Sequence, residues 1–374
     1  MKVVVLSNMA QSLANFRGRL LQDLRAAGHE VVAVAPETDD PALASLSAMG
    51  VRYVCVPMSR TGVAPVADLA YARRLHALFR AERPDVTFGY TIKPGVYGTL
   101  AARWARVPRR VMMVNGLGYA FGASGVRQRL VGAAARGLYR AACRSAHRVV
   151  FQNPDDRRTF VELGLARADQ TVVVAGSGID LERFPAVPVP DGPPVFLFVG
   201  RLIAEKGVLD FAEAARAVRR DHPDARFHVL GPFDDAPGAV PRSTVEGWAA
   251  EGIVTYLGTT LDVRPYLAAA TAFVLPSYYR EGVPRTALEA LATARPVITT
   301  DRPGCRETVV DGVNGYLVPD RDPAALADAM RRLLADPERL RAMARASRDL
   351  AASRFDVVAV NADMLRALGA EAAA

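Results

Sequence analysis

The feature that most restricts the fold of this chain is an alternation of short apolar runs with longer helix-forming segments, played out twice around a proline-rich break. The first series of runs is KVVVLS (2–7), EVVAVAP (30–36), RYVCVP (52–57), DVTFGY (85–90), RRVMMVN (109–115), RVVFQN (148–153) and TVVVAG (171–176). The second is VFLFVG (195–200), RFHVLG (226–231), VTYLG (254–258), TAFVLP (271–276), PVITTD (296–301) and GYLVP (315–319). Short runs rich in β-branched and aromatic residues read as buried strands. Segments such as FRGRLLQDLRAAG (16–28), DLAYARRLHALFRAE (68–82) and GVYGTLAARWARV (95–107) read as the helices between them, with Gly28 placed as a C-cap. The break is AVPVPDGPP at 186–194, dense in proline and turn residues. The expected architecture is α/β: two Rossmann-like domains, 1–185 and 195–355, joined by a linker at 186–194 and facing a cleft. The last segment, 356–374, is expected to pack back on the first domain.

Length and composition agree with that division. A chain of 374 residues suits about two domains, and 51% hydrophobic content suffices for two cores. Cys55, Cys143 and Cys305 are scattered without metal-ligand spacing, which points to a reducing, cytoplasmic setting. MKVVVLSN reads as a first strand rather than a signal segment. No apolar run reaches the ~18 residues that a membrane span needs.

The net charge of +8 is unevenly spread: residues 1–185 carry +11 and residues 186–374 carry −3. Between Asp85 and Asp155 there is no acidic residue, while the same window holds Lys93 and ten arginines. Arg136, Arg140, Arg144 and Arg148 recur at every fourth position, which predicts a stripe on one helix face. Such a stripe is either an ordinary solvated face or an attractor of anionic lipid, at ~1 kcal/mol per residue near an anionic leaflet. No helix-turn-helix, zinc-finger, RRM or KH signature accompanies the charge, so lipid or lipid diphosphate ranks above nucleic acid.

The chemistry concentrates in the second half. TAFVLPS (271–277) leads through EGVP into ALEALATA, so Glu281 is expected in the turn past a strand end and Glu289 about two helical turns beyond. Open α/β sheets bind ligands past the carboxyl ends of their strands. There the amides of Gly282 and Val283 offer donors to a diphosphate, and the two carboxylates offer acceptors to sugar hydroxyls. GRLIAEKG (200–207) places Arg201 and Lys206 at another strand end, where they either neutralise phosphate or pair with local acids such as Glu205 and Asp210. In DRPGCRETVVDGVNGYLVPDRD (301–322), Gly304 is suited to a close backbone approach to a ligand or to a tight turn.

Taken together, Gly-Arg-x4-Lys-Gly after a strand, Pro-Ser-x3-Glu-Gly-x-Pro-x4-Glu-Ala, Pro-Val-Ile and Gly-x2-Glu-x-Val resemble the retaining glycosyltransferases of the GT4 family, which have the GT-B fold. The resemblance covers nearly the whole chain. GYTIKPGVYGTLAARWARVP (89–108) and NGLGYAFG (115–122) are similar to bacterial N-acetylgalactosaminyltransferases acting on undecaprenyl-diphosphate-linked sugars. The resemblance implies that Glu281 contacts the donor sugar and Glu289 the ribose hydroxyls. It implies that Arg201 and Lys206 hold the donor diphosphate. Gly258, Gly282, Val283 and the neighbours of Pro284 would complete the donor pocket. Lys93 and Asn115 would be polar groups on the acceptor side or the donor side, grouped here with the acceptor, and Arg136, Arg140 and Arg144 would face the acceptor and an anionic inner-membrane surface. The implied partners are a UDP-sugar and a lipid-linked saccharide, with peripheral membrane attachment and no cofactor.

The chain departs from many such relatives in its first loop, SNMAQSLANFRG, which lacks a Gly-Gly pair. It also departs in carrying Thr91-Ile-Lys93 where a histidine is common, and Asn115-Gly116 at another histidine-bearing turn. Asp320-Arg-Asp322 resembles a metal-binding Asp-x-Asp, but Asp322 before Pro323 reads as a helix N-cap. A nicotinamide dehydrogenase is disfavoured because no strand runs into G-x-G-x-x-G. A UDP-sugar 2-epimerase shares the architecture, and a non-enzymatic protein binding anionic membranes would account for the charge alone.

Overall fold

The computed structural model describes residues 1–59, 64–117, 126–235 and 238–371, with residues 126–131 described by backbone only. It divides into two compact units, one of Met1–Ser177 with the segment from Val357, the other of Gly178–Asp356.

In the first unit, β1 (Lys2–Leu6), α1 (Ala10–Ala26), β2 (Glu30–Ala35), α2 (Ala42–Ala48), β3 (Arg52–Cys55), α3 (Pro65–Glu82) and β4 (Val86–Tyr90) follow one another. They continue as α4 (Ile92–Trp104), β5 (Arg109–Val114), α5 (Val126–Ser145), β6 (Arg148–Phe151), α6 (Pro154–Glu162) and β7 (Thr171–Val173). The strands form one seven-stranded sheet in the order β3-β2-β1-β4-β5-β6-β7, and every pairing is parallel. Val3, Val4, Val5 and Leu6 of β1 are all fully buried, as expected of a strand covered on both faces. The order of strands reverses between β1 and β4, so the crevice past their carboxyl ends is the place for a ligand in this sheet.

The second unit runs β8 (Val195–Val199), α7 (Val208–Asp221), β9 (Arg226–Leu230), α8 (Arg242–Ala250), β10 (Thr255–Tyr256) and α9 (Arg264–Ala268). It continues as β11 (Ala272–Leu275), α10 (Arg285–Ala292), β12 (Val297–Thr300), β13 (Gly315–Val318), α11 (Pro323–Leu334) and α12 (Pro337–Arg354). Its six-stranded sheet has the order β10-β9-β8-β11-β12-β13, again with a reversal, between β8 and β11. Helices α6, α11 and α12 share one start signal: Asn153, Asp322 and Asp336 accept backbone N–H bonds from Asp156, Ala325 and Arg339, each followed by proline at the first helical position. A last helix, α13 (Val357–Leu368), belongs to the first unit. Its Met364 and Leu368 are fully buried in the same core cluster as Val3, Leu13 and Leu20.

Two local outcomes differ from the reading of the sequence. The every-fourth-residue stripe ends at Arg144, because α5 stops at Ser145 and Arg148 opens β6, paired with Val111 of β5. Arg148 therefore follows strand geometry and leaves the helical face. The proline-rich segment 186–194 lies inside the second unit, which the chain has entered at Gly178. The fully buried Arg295 holds that segment by donating to the carbonyls of Val187 at 2.8 Å and Pro188 at 2.9 Å. Burial pulls the Arg295 guanidinium down to about 10.

Candidate active site

The residues expected to carry chemistry in the second half gather at the carboxyl edge of the second sheet, on the loops leaving β8, β9 and β11. The loop after β8 makes a single 3₁₀ turn over Ala204–Lys206 and then reverses at Gly207, whose φ is +78°. A Cβ at Gly207 would lie 2.1 Å from the carbonyl oxygen of Pro276, so only glycine lets this turn press against the loop after β11. The two loops are then stitched together. The amides of Tyr278 and Tyr279 both donate to the Glu205 carbonyl at 2.9 Å.

That contact brings Lys206 to Glu281. The Lys206 Nζ lies 2.6 Å from Glu281 Oε1, and the Ser277 hydroxyl donates to the same oxygen at 2.8 Å. Both charged side chains are largely buried, at 14% and 10% exposure. The loop carrying Glu281 is fixed from behind by Gly304, at φ +90°. A Cβ there would sit 1.9 Å from the Gly282 carbonyl oxygen, so the close approach is to the chain's own backbone. Cys305, alongside, is fully buried, and its thiol is pushed up to about 12 by burial.

Arg201, more exposed, donates to Asp234 on the loop after β9 at 2.9 Å. Burial pulls its guanidinium down, but Asp234 and Tyr279 more than offset this and leave it above its ordinary value. Both cations approach the ring of Tyr279, its centroid 5.7 Å from the Arg201 guanidinium and 5.9 Å from the Lys206 ammonium. Arg201, Lys206 and Glu281 thus share one neighbourhood around Tyr279.

Glu289 sits on α10, and its carboxylate receives a bond from Arg285 Nε at 3.1 Å, one helical turn earlier. Burial pushes Glu289 above the usual carboxylate range, opposed by Arg285 and by Arg183. A second nitrogen of Arg285 donates to the carbonyl of Gly178. Gly282, Val283 and Pro284 form the approach to α10, with Pro284 as the residue before its first turn. Gly258, at φ +76°, accepts from the Gly231 amide at 2.8 Å, which ties the ends of β9 and β10 together. The Asp-x-Asp pair is engaged elsewhere: Asp322 caps α11, and Asp320 is bound to Arg302 at 2.6 Å.

In the first unit, Lys93 is half-buried on α4 with its Nζ 2.7 Å from Asp68 Oδ1 of α3. Asn115 is the first residue past β5 and is half-buried. Of the arginine stripe, Arg144 is exposed and Arg136 half-buried. The guanidinium of Arg140 is committed to the carbonyls of Leu163 at 3.1 Å and Gly164 at 3.3 Å.

Reading the sequence missed Asp234, Arg285, Tyr279 and Asp68. Arg285 had a signal, since it precedes Glu289 by four residues in a helix-forming segment. Tyr279 lies two residues before Glu281 on the same loop, whereas Asp234, on the loop after β9, and Asp68, on α3, are brought in from elements that no local pattern relates.

Comparison with known proteins follows the same division. Residues 13–177 match the glycosyl transferase 4-like domain, and residues 193–336 match the glycosyl transferases of group 1. The chain is 27% identical over 354 residues to the N,N'-diacetylbacillosaminyl-diphospho-undecaprenol α-1,3-N-acetylgalactosaminyltransferase of Campylobacter jejuni, covering 91% of each chain. It is 27% identical over 321 residues to the UDP-Gal:α-D-GlcNAc-diphosphoundecaprenol α-1,3-galactosyltransferase of Escherichia coli, covering 82% of this chain and 81% of the other. Among solved structures, Anabaena HepE in complex with UDP superposes with a TM-score of 0.78 at 18% identity, covering 99% of this chain and all of the other. The fold, the two matched domains and the full-length relatives agree, and the chain belongs to the GT4-type glycosyltransferases of group 1, with the GT-B fold.

Proposed function

We propose that the protein is a retaining, metal-independent glycosyltransferase. It moves an N-acetylhexosamine from a UDP-sugar to a saccharide carried on a polyprenyl diphosphate, in the assembly of a bacterial glycan. The observation that carries this reading is the meeting of Arg201, Lys206 and Glu281 around Tyr279 at one sheet edge. Two cations and a carboxylate at that spot suit a diphosphate joined to a sugar. The names of the Campylobacter and Escherichia relatives, both acting on diphospho-undecaprenol-linked sugars, support the acceptor. The UDP-Gal in the second name and the UDP held by HepE support the donor.

In this reading Arg201 and Lys206 hold the donor diphosphate and stabilise the charge that grows on it as the bond to the anomeric carbon breaks. Glu281 is left to accept from the sugar hydroxyls, with Ser277 keeping its carboxylate in place. Glu289 accepts from the ribose hydroxyls. The acceptor hydroxyl attacks the anomeric carbon from the face that the diphosphate leaves, and its proton passes to the departing phosphate oxygen. With Asp320 and Asp322 spent on structure, the two basic side chains carry the neutralisation that a metal performs elsewhere. The basic first half, at +11, favours attachment to an anionic inner-membrane surface.

The test is a screen of UDP-sugars against short-chain polyprenyl-diphosphate saccharides on anionic vesicles, read by mass and by the anomeric proton of the product. The expected product keeps the donor's anomeric configuration, its rate is unchanged by a chelator, and transfer weakens with added salt. Lys206→Ala and Arg201→Ala are each expected to lower turnover about 10²-fold, for ~3 kcal/mol of transition-state stabilisation. Near-normal turnover in either variant would remove that residue from the role. Epimerised UDP-sugar without acceptor would replace the reading altogether.

A further inference from the structure

Each of the two cations at the carboxyl edge of the second sheet already has a carboxylate, and the two pairs are built differently. Lys206 and Glu281 are largely buried, at 14% and 10% exposure, and Ser277 donates to the same carboxylate. Arg201 and Asp234 meet at 2.9 Å with 42% and 20% of their side chains exposed. A buried pair is costly to break, because separation leaves a charge uncompensated away from water. An exposed pair contributes little, since water takes the place of either partner. Arg201 is therefore the cation that changes partners at small cost.

The backbones beneath that pair are fixed. A Cβ on Gly231 would fall 1.9 Å from the Gly200 carbonyl oxygen, so the chain leaving β9 is pressed on the chain leaving β8. Beyond this contact the Leu202 amide donates to the Pro232 carbonyl at 3.0 Å, and the Ala204 amide to that of Gly238 at 2.7 Å. Phe233, next to Asp234, is held as well. Its ring centroid lies 5.1 Å from that of Tyr256, and the Arg242 guanidinium lies over it at 4.2 Å. Asp234 thus sits on an anchored loop, and a turn of its side chain is enough to release Arg201.

We infer that Asp234 competes with the donor's diphosphate for Arg201: the phosphate displaces it on binding, and its return helps to expel UDP after transfer. The inference rests on the donor role proposed for Arg201 above. A carboxylate and a phosphate are alternative acceptors for one guanidinium, and their like charges repel when both are near it. Between turnovers Asp234 keeps Arg201 ordered, which lowers the cost of binding the next donor. After transfer, the remaining UDP faces a carboxylate that retakes the cation. Product release limits turnover in many enzymes, and a fixed competitor for the departing diphosphate hastens that step. Asp234 is a positioning residue, since it acts through Arg201.

The experiment measures UDP affinity by calorimetry, and UDP as an inhibitor of transfer, in wild type, Asp234→Asn, Asp234→Glu and Asp224→Asn, each checked for an unchanged melting curve. Asp224 is an exposed carboxylate ahead of β9, at the opposite edge of the sheet, and controls for the change in net charge. Asp234→Asn is expected to bind UDP about tenfold more tightly, the difference between a charged and a neutral acceptor, and to be inhibited by correspondingly less of it. Asp234→Glu and Asp224→Asn should stay within about threefold of wild type. Unchanged or weaker UDP binding in Asp234→Asn would make Asp234 a mere prop for Arg201 and overturn the exchange. Equal tightening in Asp234→Glu or Asp224→Asn would do the same. If Asp234→Asn does not melt like wild type, Asp234→Ser is read in its place. If wild type binds no UDP, the donor reading fails by itself. Inorganic pyrophosphate then decides the exchange separately: tighter binding in Asp234→Asn sustains it, and equal or absent binding refutes it.

Discussion

Glu289 shows what a single side chain needs in order to act as a hydroxyl acceptor inside this protein. Burial drives its carboxyl toward the protonated form, and a protonated oxygen is a poorer partner for a ribose hydroxyl. Arg285 opposes that drift at 3.1 Å, with Arg183 acting in the same direction and Asp262 against it. Because Glu289 is raised, its ionised form is lost on acidification sooner than that of an ordinary glutamate. Removing Arg285 moves that loss to still higher pH. In Arg285→Ala, UDP affinity measured by calorimetry is therefore expected to fall off at a higher pH than in wild type, while Glu289→Gln has no such step. Parallel profiles for wild type and Arg285→Ala would show that Arg285 does not govern this carboxylate. The Arg285–Glu289 pair could be read from the sequence, as residues four apart on a helix are neighbours. The Arg201–Asp234 and Lys93–Asp68 pairs could not, because each joins two loops or helix starts whose meeting is decided by packing.

The elements themselves were largely legible, since strands buried on both faces leave apolar runs in the chain and the caps of α11 and its like leave Asx-Pro pairs. What the runs do not carry is how closely neighbouring loops approach. That is written in glycines whose role shows only in three dimensions. Gly207 and Gly304 each hold positive φ with a backbone oxygen of another loop about where a Cβ would stand. Gly207→Ala and Gly304→Ala should each cost about 2 kcal/mol or more, from strain and clash together, and should lower turnover by spreading the loops that bear Lys206 and Glu281. Gly247, inside α8 with open space around it, is the control: Gly247→Ala should leave activity intact and raise stability by ~0.5–1 kcal/mol. Thermal melts with turnover measured on the same samples separate the cases. A Gly207→Ala variant as active and stable as Gly247→Ala would mean that the loop contact is dispensable. The end of α5 was hidden for a related reason. Arg148 continues the helical spacing of Arg136, Arg140 and Arg144, and only its pairing with β5 assigns it to a strand.

At the scale of the molecule, sequence order and structural membership part company at the C-terminal end. Residues from Val357 onward follow the second unit in the chain yet belong to the first. Helix α13 adds Met364 and Leu368 to the core beneath α1, and Arg109 donates to its Ala367 carbonyl at 3.0 Å. His29 Nε2 lies 3.0 Å from the Ala370 carbonyl oxygen, and Asn361 donates to Asp23 at 2.6 Å. Burying two large aliphatic side chains is worth about 3–6 kcal/mol, a large share of the stability of a domain of this size. Truncation after Asp356 should consequently damage the first unit, from which it is distant in sequence, and spare the second, to which it is joined. Hydrogen exchange is expected to quicken in α1, β1 and β5, with the strands β8, β11 and β12 unchanged. UDP binding, which the proposed reaction places wholly in the second unit, should survive the truncation, whereas transfer to a lipid-linked acceptor should not. Faster exchange in β8 and β11, or loss of UDP binding with α1 still protected, would show that α13 serves the second unit instead.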